Sequence, residues 1–164
     1  MDVPIKALGL YDPYSVEASI SRLPYVRSYT PADVSSSSVP ASSIVTYRFN
    51  PSKLNDSKVK FTWMDGGLRP SQPDQIKEDI GVGGILIYGE KGIISCNDYG
   101  TRAKLYIDGE VVETGQFDGI PSNSFNHYTS WVEAMVDGYG SDKHKNLNSG
   151  FDVAGPISEV VLLG

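Results

Sequence analysis

The segment around Asp108-Gly109 constrains the fold of this chain more than any other part of the sequence. Residues 104–107 and 110–113 flank the pair and have the β-branched and aromatic character of strands. Asp-Gly is favoured in the two-residue type I′ turn, because both turn positions take a positive φ. Such a turn joins antiparallel neighbours, so the sequence predicts a β-hairpin and, with it, an antiparallel sheet.

Four further segments carry strand patterns. Residues 58–63 alternate apolar and polar side chains, which is typical of a strand with one solvated face, and residues 43–49 show a similar pattern. Apolar runs at residues 84–89 and 92–96 flank Glu90-Lys91 and predict a second short hairpin. The continuous apolar character of this hairpin indicates burial on both of its faces.

Two amphipathic segments close the chain. Apolar residues recur every three or four positions in residues 124–137, with Ser122 or Ser124 as N-cap, and this spacing predicts a helix whose stripe packs on a sheet. Residues 154–163 predict a second helix with Pro156 in its first turn. Because its apolar stripe continues to the last residue given, we expect the chain to be part of a longer protein.

Together these elements predict an α+β fold: a large, mixed, mainly antiparallel sheet of about five to seven strands, with helices packed on one face. Residues 1–42 are rich in Pro and Ser and predict an N-terminal arm and connector with one candidate strand near residues 16–20. Residues 43–164 form the sheet-and-helix part of what we expect to be a single domain.

Composition excludes several classes of function. The net charge of −6 argues against binding to a phosphate backbone, so no nucleic acid is expected as a partner. No run of about 18 apolar residues occurs and the N-terminus lacks the apolar stretch of a signal peptide, which predicts a soluble chain, cytoplasmic or periplasmic, without a membrane segment. Cys96 is the single cysteine, and we expect it to be a small buried thiol.

Sharp catalytic motifs are missing from the sequence. Gly81-Val82-Gly83-Gly84 departs from the dinucleotide-binding GxGxxG pattern, because Leu86 stands at its last glycine and the segment precedes a strand instead of opening a helix. P-loop, HExxH, GxSxG and EF-hand patterns do not occur, and no Cys/His cluster has zinc spacing. We therefore assign no catalytic residue, no metal ligand and no cofactor-binding residue.

Several polar residues are nevertheless candidates for binding a ligand. Asp65 precedes Gly66-Gly67, so a tight loop could present its carboxylate, with Arg69 as a cationic partner for a polar molecule; an ordinary Asp-Gly turn explains Asp65 equally well. His127 lies near the start of the predicted helix, where it could donate a hydrogen bond or act as a general acid or base, or could simply cap the helix.

The two tryptophans allow a sugar-binding interpretation. Trp63 and Trp131 could stack on a sugar ring, but each lies on an apolar stripe, where a place in the core is the common outcome. Exposure of either near Asp65 would favour sugar binding, and burial of both would count against it.

Four segments, taken in order, resemble the C-terminal domain of bacterial Gfo/Idh/MocA-type oxidoreductases, the relatives of glucose-fructose oxidoreductase and inositol dehydrogenase. These segments are residues 40–49, 61–70, 126–131 and 151–164. The resemblance runs from about Ser15 to the end of the sequence. It implies an α/β domain with a large, mostly antiparallel sheet that shapes a substrate pocket and forms an oligomer interface.

In that family an N-terminal Rossmann domain holds NAD or NADP, and it has no counterpart in this sequence. The family's Glu-Lys-Pro motif is also absent, since Gly92 follows Glu90-Lys91. The resemblance implies that the Asp65 loop and the His127-Tyr128 helix start face the substrate. The predicted substrate-binding residues are therefore Asp65, Arg69, His127 and Tyr128.

Two functional hypotheses follow. The first is a substrate-binding and oligomerisation domain of an NAD(P)-dependent oxidoreductase acting on a sugar, polyol or related compound, inactive by itself, which forms a homo-oligomer through an open sheet face and partners a Rossmann domain. The alternative is a stand-alone carbohydrate-binding or scaffolding module without redox activity. A glycoside hydrolase would need a second carboxylate paired with Asp65, and the sequence offers no evident one.

Overall fold

The computed structural model describes residues 1–21, 40–112 and 126–164. Helices and antiparallel strands are both present, and the predicted α+β class is confirmed. The chain divides into two compact units. The first comprises residues 1–114 with residues 163–164, and the second comprises residues 115–162. The predicted N-cap residues Ser122 and Ser124 lie outside the described residues.

The first unit begins with a helix that the sequence did not predict. Helix α1 spans Asp2–Leu8 and ends at Gly9, which takes the left-handed conformation with a φ of 65°. Ile5 and Leu10 are almost fully buried, and the Ser52 hydroxyl donates a hydrogen bond of 2.7 Å to the Leu8 carbonyl. Residues 2–10 of the predicted arm therefore contribute to the core.

A three-stranded antiparallel sheet follows, in the order β1-β2-β3. Strand β1 spans Pro13–Ile20, β2 spans Ser43–Phe49 and β3 spans Val59–Met64, which agrees with the strand patterns in the sequence. The alternation of β2 is the clearest, because every second residue from Ser43 to Phe49 is buried. Its other face carries the ion pair between Arg48 and Glu17, at 2.8 Å, so this sheet has one apolar and one polar side.

Aromatic rings fill the apolar side of this sheet. Tyr47 and Phe49 are buried and stack with ring centroids 6.3 Å apart, and Tyr47 lies 5.8 Å from the ring of its cross-strand partner Phe61. Burial raises the pKa of the Tyr47 phenol. Such cross-strand aromatic pairs stabilise a sheet beyond the area they bury.

The remaining strands form a second antiparallel sheet in the order β4-β5-β6-β7. They span Ile85–Tyr88, Ile93–Cys96, Lys104–Ile107 and Glu110–Val112. The single large mixed sheet predicted from the sequence is therefore replaced by two smaller sheets that are both antiparallel. A turn at Asp65-Gly66-Gly67 and a long loop separate β3 from β4, and these two strands do not pair.

Both predicted hairpins are present in the four-stranded sheet. Asp108 and Gly109 have φ values of 53° and 82°, which are the left-handed values that the type I′ turn requires. In the other hairpin, Gly89 donates a backbone hydrogen bond of 2.9 Å to the Gly92 carbonyl around Glu90-Lys91. The turn residues in the sequence therefore predicted both hairpin connections correctly.

One face of the four-stranded sheet packs against the loop of residues 70–81. Ile93 and Tyr106 are buried on that face together with Ile76 from the loop, and Ile80 and Leu86 pack around them. The loop is therefore part of the core of this unit.

In its described residues, 126–162, the second unit contains three helices. Helix α2 spans His127–Asp137, and the Asn126 side chain caps it by accepting hydrogen bonds from two backbone N–H groups of its first turn. Helix α3 spans Asp142–Lys145, with Ser141 as its cap. Helix α4 spans Phe151–Leu162 and begins earlier than predicted, so that Pro156 lies inside it instead of in its first turn.

Within the second unit, helix α2 packs on α3. Helix α2 contacts α3 through its polar side, where Lys143 lies within 3.6 Å of Glu133 and 3.4 Å of Asp137, and where Ala134 is buried. The stripe itself is exposed: Tyr128, Trp131, Val132, Met135 and Val136. In the described residues no helix combines the length and apolar character needed to cross a bilayer.

Candidate functional site

The Asp65 carboxylate joins the start of β2 to the end of β3. Its Oδ1 accepts a hydrogen bond of 2.6 Å from the Ser43 backbone N–H, and its Oδ2 accepts one of 2.8 Å from the Ser43 hydroxyl. The Asp65 backbone N–H in turn donates to the Ser43 carbonyl at 3.1 Å. The hydrogen bond from the Ser43 hydroxyl is the main reason that the pKa of Asp65 is lowered, so the group is a carboxylate at neutral pH.

The loop after Asp65 fits closely against the segment before β2. Gly66 has a φ of 63°, and a side chain there would meet the Ala41 carbonyl oxygen and the Ser42 backbone. Gly67 has a φ of 85° and faces open space. At position 66 only glycine can both take the positive φ and avoid a collision with the Ala41 carbonyl oxygen and Ser42. The geometry of this turn therefore requires the glycine after Asp65.

Trp63 places a partly exposed indole beside this carboxylate. Its Nε1–H donates to Asp65 Oδ2 at 3.4 Å, and 38% of the residue is exposed. A flat apolar ring beside a carboxylate can bind a sugar, because the ring stacks on C–H groups while the carboxylate accepts from hydroxyls. Trp63 and Asp65 thus form the candidate ligand site of the first unit.

The other predicted binding residues are Arg69, His127 and Tyr128. Arg69 donates a hydrogen bond of 3.1 Å to the Gly81 carbonyl and lies 3.8 Å from the Asp79 carboxylate, so it holds the end of the 70–81 loop. His127 and Tyr128 belong to the second unit. They are exposed at the start of α2, and their rings meet edge to face at 5.8 Å.

A polar cluster that the sequence reasoning missed fastens the 70–81 loop to β6. The Lys104 ammonium donates to both carboxylate oxygens of Glu78, at 2.7 Å and 2.8 Å, and the Tyr106 hydroxyl donates to the same carboxylate. The hydrogen bond from Lys104 is the main reason that the pKa of Glu78 is lowered. Burial, and then the Glu78 carboxylate, raise the pKa of Tyr106 to about 12.

This cluster holds structure together and does not prepare a reaction. A phenol with a raised pKa is a weaker acid and gives less phenolate at neutral pH, so Tyr106 is not poised as a general base. Lys104 and Tyr106 are two positions apart on one strand and therefore share a face, which was a readable signal. Their partner Glu78 lies in a loop, and no local pattern linked it to them.

The opposite face of the four-stranded sheet, here called the open face, is apolar and is only partly covered by the described residues. Ile87, Ile94, Leu105 and Val112 are register partners in turn, so one row of apolar side chains crosses all four strands. None of the four is buried, whereas Ile93 and Tyr106 on the other face are. Cys96 pairs with Ile85 beside this row and is partly exposed, contrary to the predicted buried thiol.

A shallow hollow of about 240 Å³ lies between α2 and α3. Its lining is polar: Ser130, Glu133, Asp142, Lys143 and Asn146. The negative charges of Asp137 and Glu133 raise the pKa of Lys143, and the same carboxylates neutralise its ammonium group. The positive charge in this hollow is therefore already paired with carboxylates.

The glycine segment at residues 81–84 does not have the arrangement of a dinucleotide-binding loop. Residues 81–84 lead into strand β4 and not into a helix, and the Asp98 carboxylate lies over Gly83, where it would repel a pyrophosphate. Across residues 1–21, 40–112 and 126–164, no group of three or more His, Cys, Asp or Glu side chains could hold a metal.

Comparison with known proteins adds no family. No protein-family model matches the chain, and no curated protein is significantly similar to it.

Proposed function

We propose that this chain is the substrate-binding and oligomerisation domain of an NAD(P)-dependent oxidoreductase that acts on a sugar, a polyol or a related compound. In this proposal the nucleotide is held by a separate Rossmann domain. The chain by itself recognises substrate and associates with copies of itself, and is not catalytic alone.

The open face of the four-stranded sheet carries this proposal. Its row of four apolar side chains is the kind of surface that soluble proteins cover with a partner. Homo-oligomers with closed symmetry commonly bury such a self-complementary patch. The partner that this face fits is therefore the same face of a second copy.

Two of the segments that carry the resemblance also lie together in space. Two of the resembling segments, residues 40–49 and 61–70, lie side by side as β2 and β3 with the turn after β3. The Ser43–Asp65 hydrogen bonds and the tight fit of Gly66 join them. Ser43 of the first segment and Asp65 and Gly66 of the second thus belong to one contact between β2 and the turn after β3.

A pair of adjacent valines tests the open face. Val112 is 38% exposed on the open face, and Val111, its neighbour in β7, is 50% exposed on the other face. We expect Val112→Lys to weaken self-association at least about tenfold, because it places a charge in an apolar contact, and Val111→Lys to leave it unchanged. Light scattering over a concentration series measures both.

Cofactor titration completes the test. We expect no heat when NAD(H) or NADP(H) is titrated into the chain, since its glycine segment does not fit a pyrophosphate. A chain that binds either nucleotide would contradict the proposed division of labour. A wild-type chain that stays monomeric at high concentration would contradict the oligomerisation role.

A second candidate, a stand-alone carbohydrate-binding module, is favoured by the exposed Trp63 beside Asp65. It predicts sugar binding by a monomer. The chain has two tryptophans, so Trp131→Phe leaves Trp63 as the single reporter of binding in a fluorescence titration. Sugar binding that survives Trp131→Phe and that calorimetric titration finds lost in Trp63→Ala, in a chain that does not self-associate, would favour this candidate.

A further inference from the structure

The polar side of the three-stranded sheet carries a cluster of cations at one end. Arg48 of β2 and Lys60 of β3 are register partners, so their side chains lie on this side at directly opposite positions. Lys58, two positions before Lys60, shares the same side. Like charges at opposite positions destabilise a sheet, and the chain as a whole has a net charge of −6. The stability of the sheet therefore does not explain this cationic cluster.

One carboxylate neutralises one cation of the cluster. The Arg48 guanidinium donates a hydrogen bond of 2.8 Å to the Glu17 carboxylate of β1. Lys58 and Lys60 are both exposed, and the ion pairs within residues 1–21, 40–112 and 126–164 involve neither of them. Both ammonium groups can therefore bind an anionic group that approaches from solvent.

A β-bulge brings an aromatic ring to the same cluster. The register of β1 and β2 shifts between Pro13 and Ser15, so Tyr14 is the extra residue of the bulge. The Lys58 Nζ lies 5.7 Å from the centre of the Tyr14 ring, within the range of a cation–π contact, and Tyr14 is 53% exposed. Bulges occur often beside functional sites, where they re-aim a side chain. This bulge places an exposed ring beside the two lysines.

From this arrangement we propose that the polar side of the three-stranded sheet binds a sugar that carries an anionic group, either a carboxylate or a phosphate. The Tyr14 ring would stack on the C–H groups of the sugar, while Lys58 and Lys60 would bind the anionic group. Thr46 and Thr62 are register partners on the same side and are partly exposed. Their hydroxyls would hydrogen-bond to the sugar hydroxyls.

The combination of groups selects this class of ligand. A neutral sugar would leave the two lysines without an anionic partner, and a small inorganic anion would not use the ring. The site is separate from the Trp63–Asp65 pair, because Trp63 is the register partner of the buried Val45 and lies on the apolar side of the sheet. It also does not depend on self-association. The light-scattering test of the proposed function and the tests below can therefore fail independently.

Titration with glucuronate and with glucose-6-phosphate, followed by the backbone amide signals in NMR spectra, locates the site. We expect saturable shifts in residues 13–17, 46–48 and 58–62 with at least one of the two, and the tighter ligand identifies the anionic group. Glucose, acetate and inorganic phosphate should each bind at least about tenfold more weakly, because each lacks the charge or the ring contact. Affinity should also fall as added salt shortens the Debye length from about 30 Å at 0.01 M to about 10 Å at 0.1 M.

Several outcomes of this titration would overturn the proposal. Binding of neither anionic sugar would do so, and so would equally tight binding of glucose or of a simple anion. Shifts confined to the surroundings of Trp63 would contradict this site and would support the separate carbohydrate-binding candidate.

Glu17→Gln is the sharpest variant, because it should tighten binding and a folding defect would not. It removes the carboxylate of the cluster and frees Arg48, so affinity for the anionic sugar should rise about two- to fivefold. Lys60→Ala should lower affinity at least about fivefold. The matched control is Lys91→Ala, which removes an exposed lysine from the β4–β5 turn and should leave affinity unchanged. Weaker binding by Glu17→Gln, or equal effects of the two lysine substitutions, would refute the site.

Two substitutions of the bulge residue test the ring. Tyr14→Phe keeps the ring and should bind the anionic sugar as the wild-type chain does. Tyr14→Ala should weaken binding about three- to tenfold, because it removes the stacking surface. Unchanged affinity in Tyr14→Ala, or equal losses in the two variants, would contradict stacking on Tyr14. Thermal unfolding shows whether Tyr14→Ala still folds, and if it does not, the Glu17→Gln result decides.

Discussion

Removing the Tyr106 hydroxyl is the sharpest test of how the 70–81 loop is held. Tyr106→Phe keeps the buried ring beside Ile76 and Ile93 and deletes one hydrogen bond to the Glu78 carboxylate. A hydrogen bond to a charged group contributes about 1.5–3 kcal/mol. Glu78 is half exposed and keeps Lys104, so we expect the loss in unfolding free energy to fall near the lower end, at about 1–2 kcal/mol.

Denaturant unfolding followed by Trp63 fluorescence in a Trp131→Phe background measures this loss. Lys77→Ala is the matched control. Lys77 lies in the same 70–81 loop, and the substitution breaks an ion pair with Glu110 of β7 that is exposed to solvent. It should cost less than about 0.5 kcal/mol. Equal effects of Tyr106→Phe and Lys77→Ala would refute the view that the buried hydroxyl fastens the loop.

The alkaline titration of Tyr106 gives an independent check with a defined sign. Its pKa is raised from 10.0 to about 12, so the folded state keeps its proton where the unfolded state has lost it. The stabilisation is complete below pH 10 and disappears as the pH rises to about 12. Phenolate absorbance should show one tyrosine titrating near 12 that Tyr106→Phe removes, and titration of every tyrosine near 10 would contradict this.

Three further perturbations test other features. Gly66→Ala should lower the unfolding free energy by at least about 3 kcal/mol, because the new side chain must adopt a positive φ and collides with the Ala41 carbonyl. Gly67→Ala faces open space and should cost only about 1 kcal/mol. Thermal unfolding of the two variants measures the difference. Ile76→Ala should cost about 2–4 kcal/mol in denaturant unfolding, as expected for a nearly fully buried isoleucine. The lowered pKa of Glu78 predicts stability that is present above pH 4.5 and falls as the pH drops through the folded value, and Glu78→Gln should flatten this acid limb.

Local signals in the sequence were sufficient for most strands. Asp108-Gly109 specified its own turn, and the period-two patterns identified β2 and β3 almost to the residue. These features depend on neighbours in the sequence, which a pattern can reveal. Helix α1 was missed because it is short and contains Pro4, so its stability comes from burial and not from propensity.

Non-local relations escaped the sequence analysis. Whether seven strands form one sheet or two depends on the path of the long loop before β4, which no periodicity describes. The stripe of α2 was correctly recognised as apolar, but polar residues made the contact with α3. In the candidate site, Asp65 was identified, yet its partner Ser43 lies 22 positions away and its role as a joint between strands became visible only in three dimensions.

The joint between Ser43 and Asp65 has a consequence for evolution. A carboxylate that accepts both a backbone and a hydroxyl hydrogen bond from one residue cannot change without affecting that residue. Substitutions at positions 43 and 65 should therefore be epistatic, and descendants of this sequence should exchange the two positions together. Gly66 should be substituted less often than either of them, because every side chain is excluded at that position. This expectation does not depend on which ligand or partner the descendants bind.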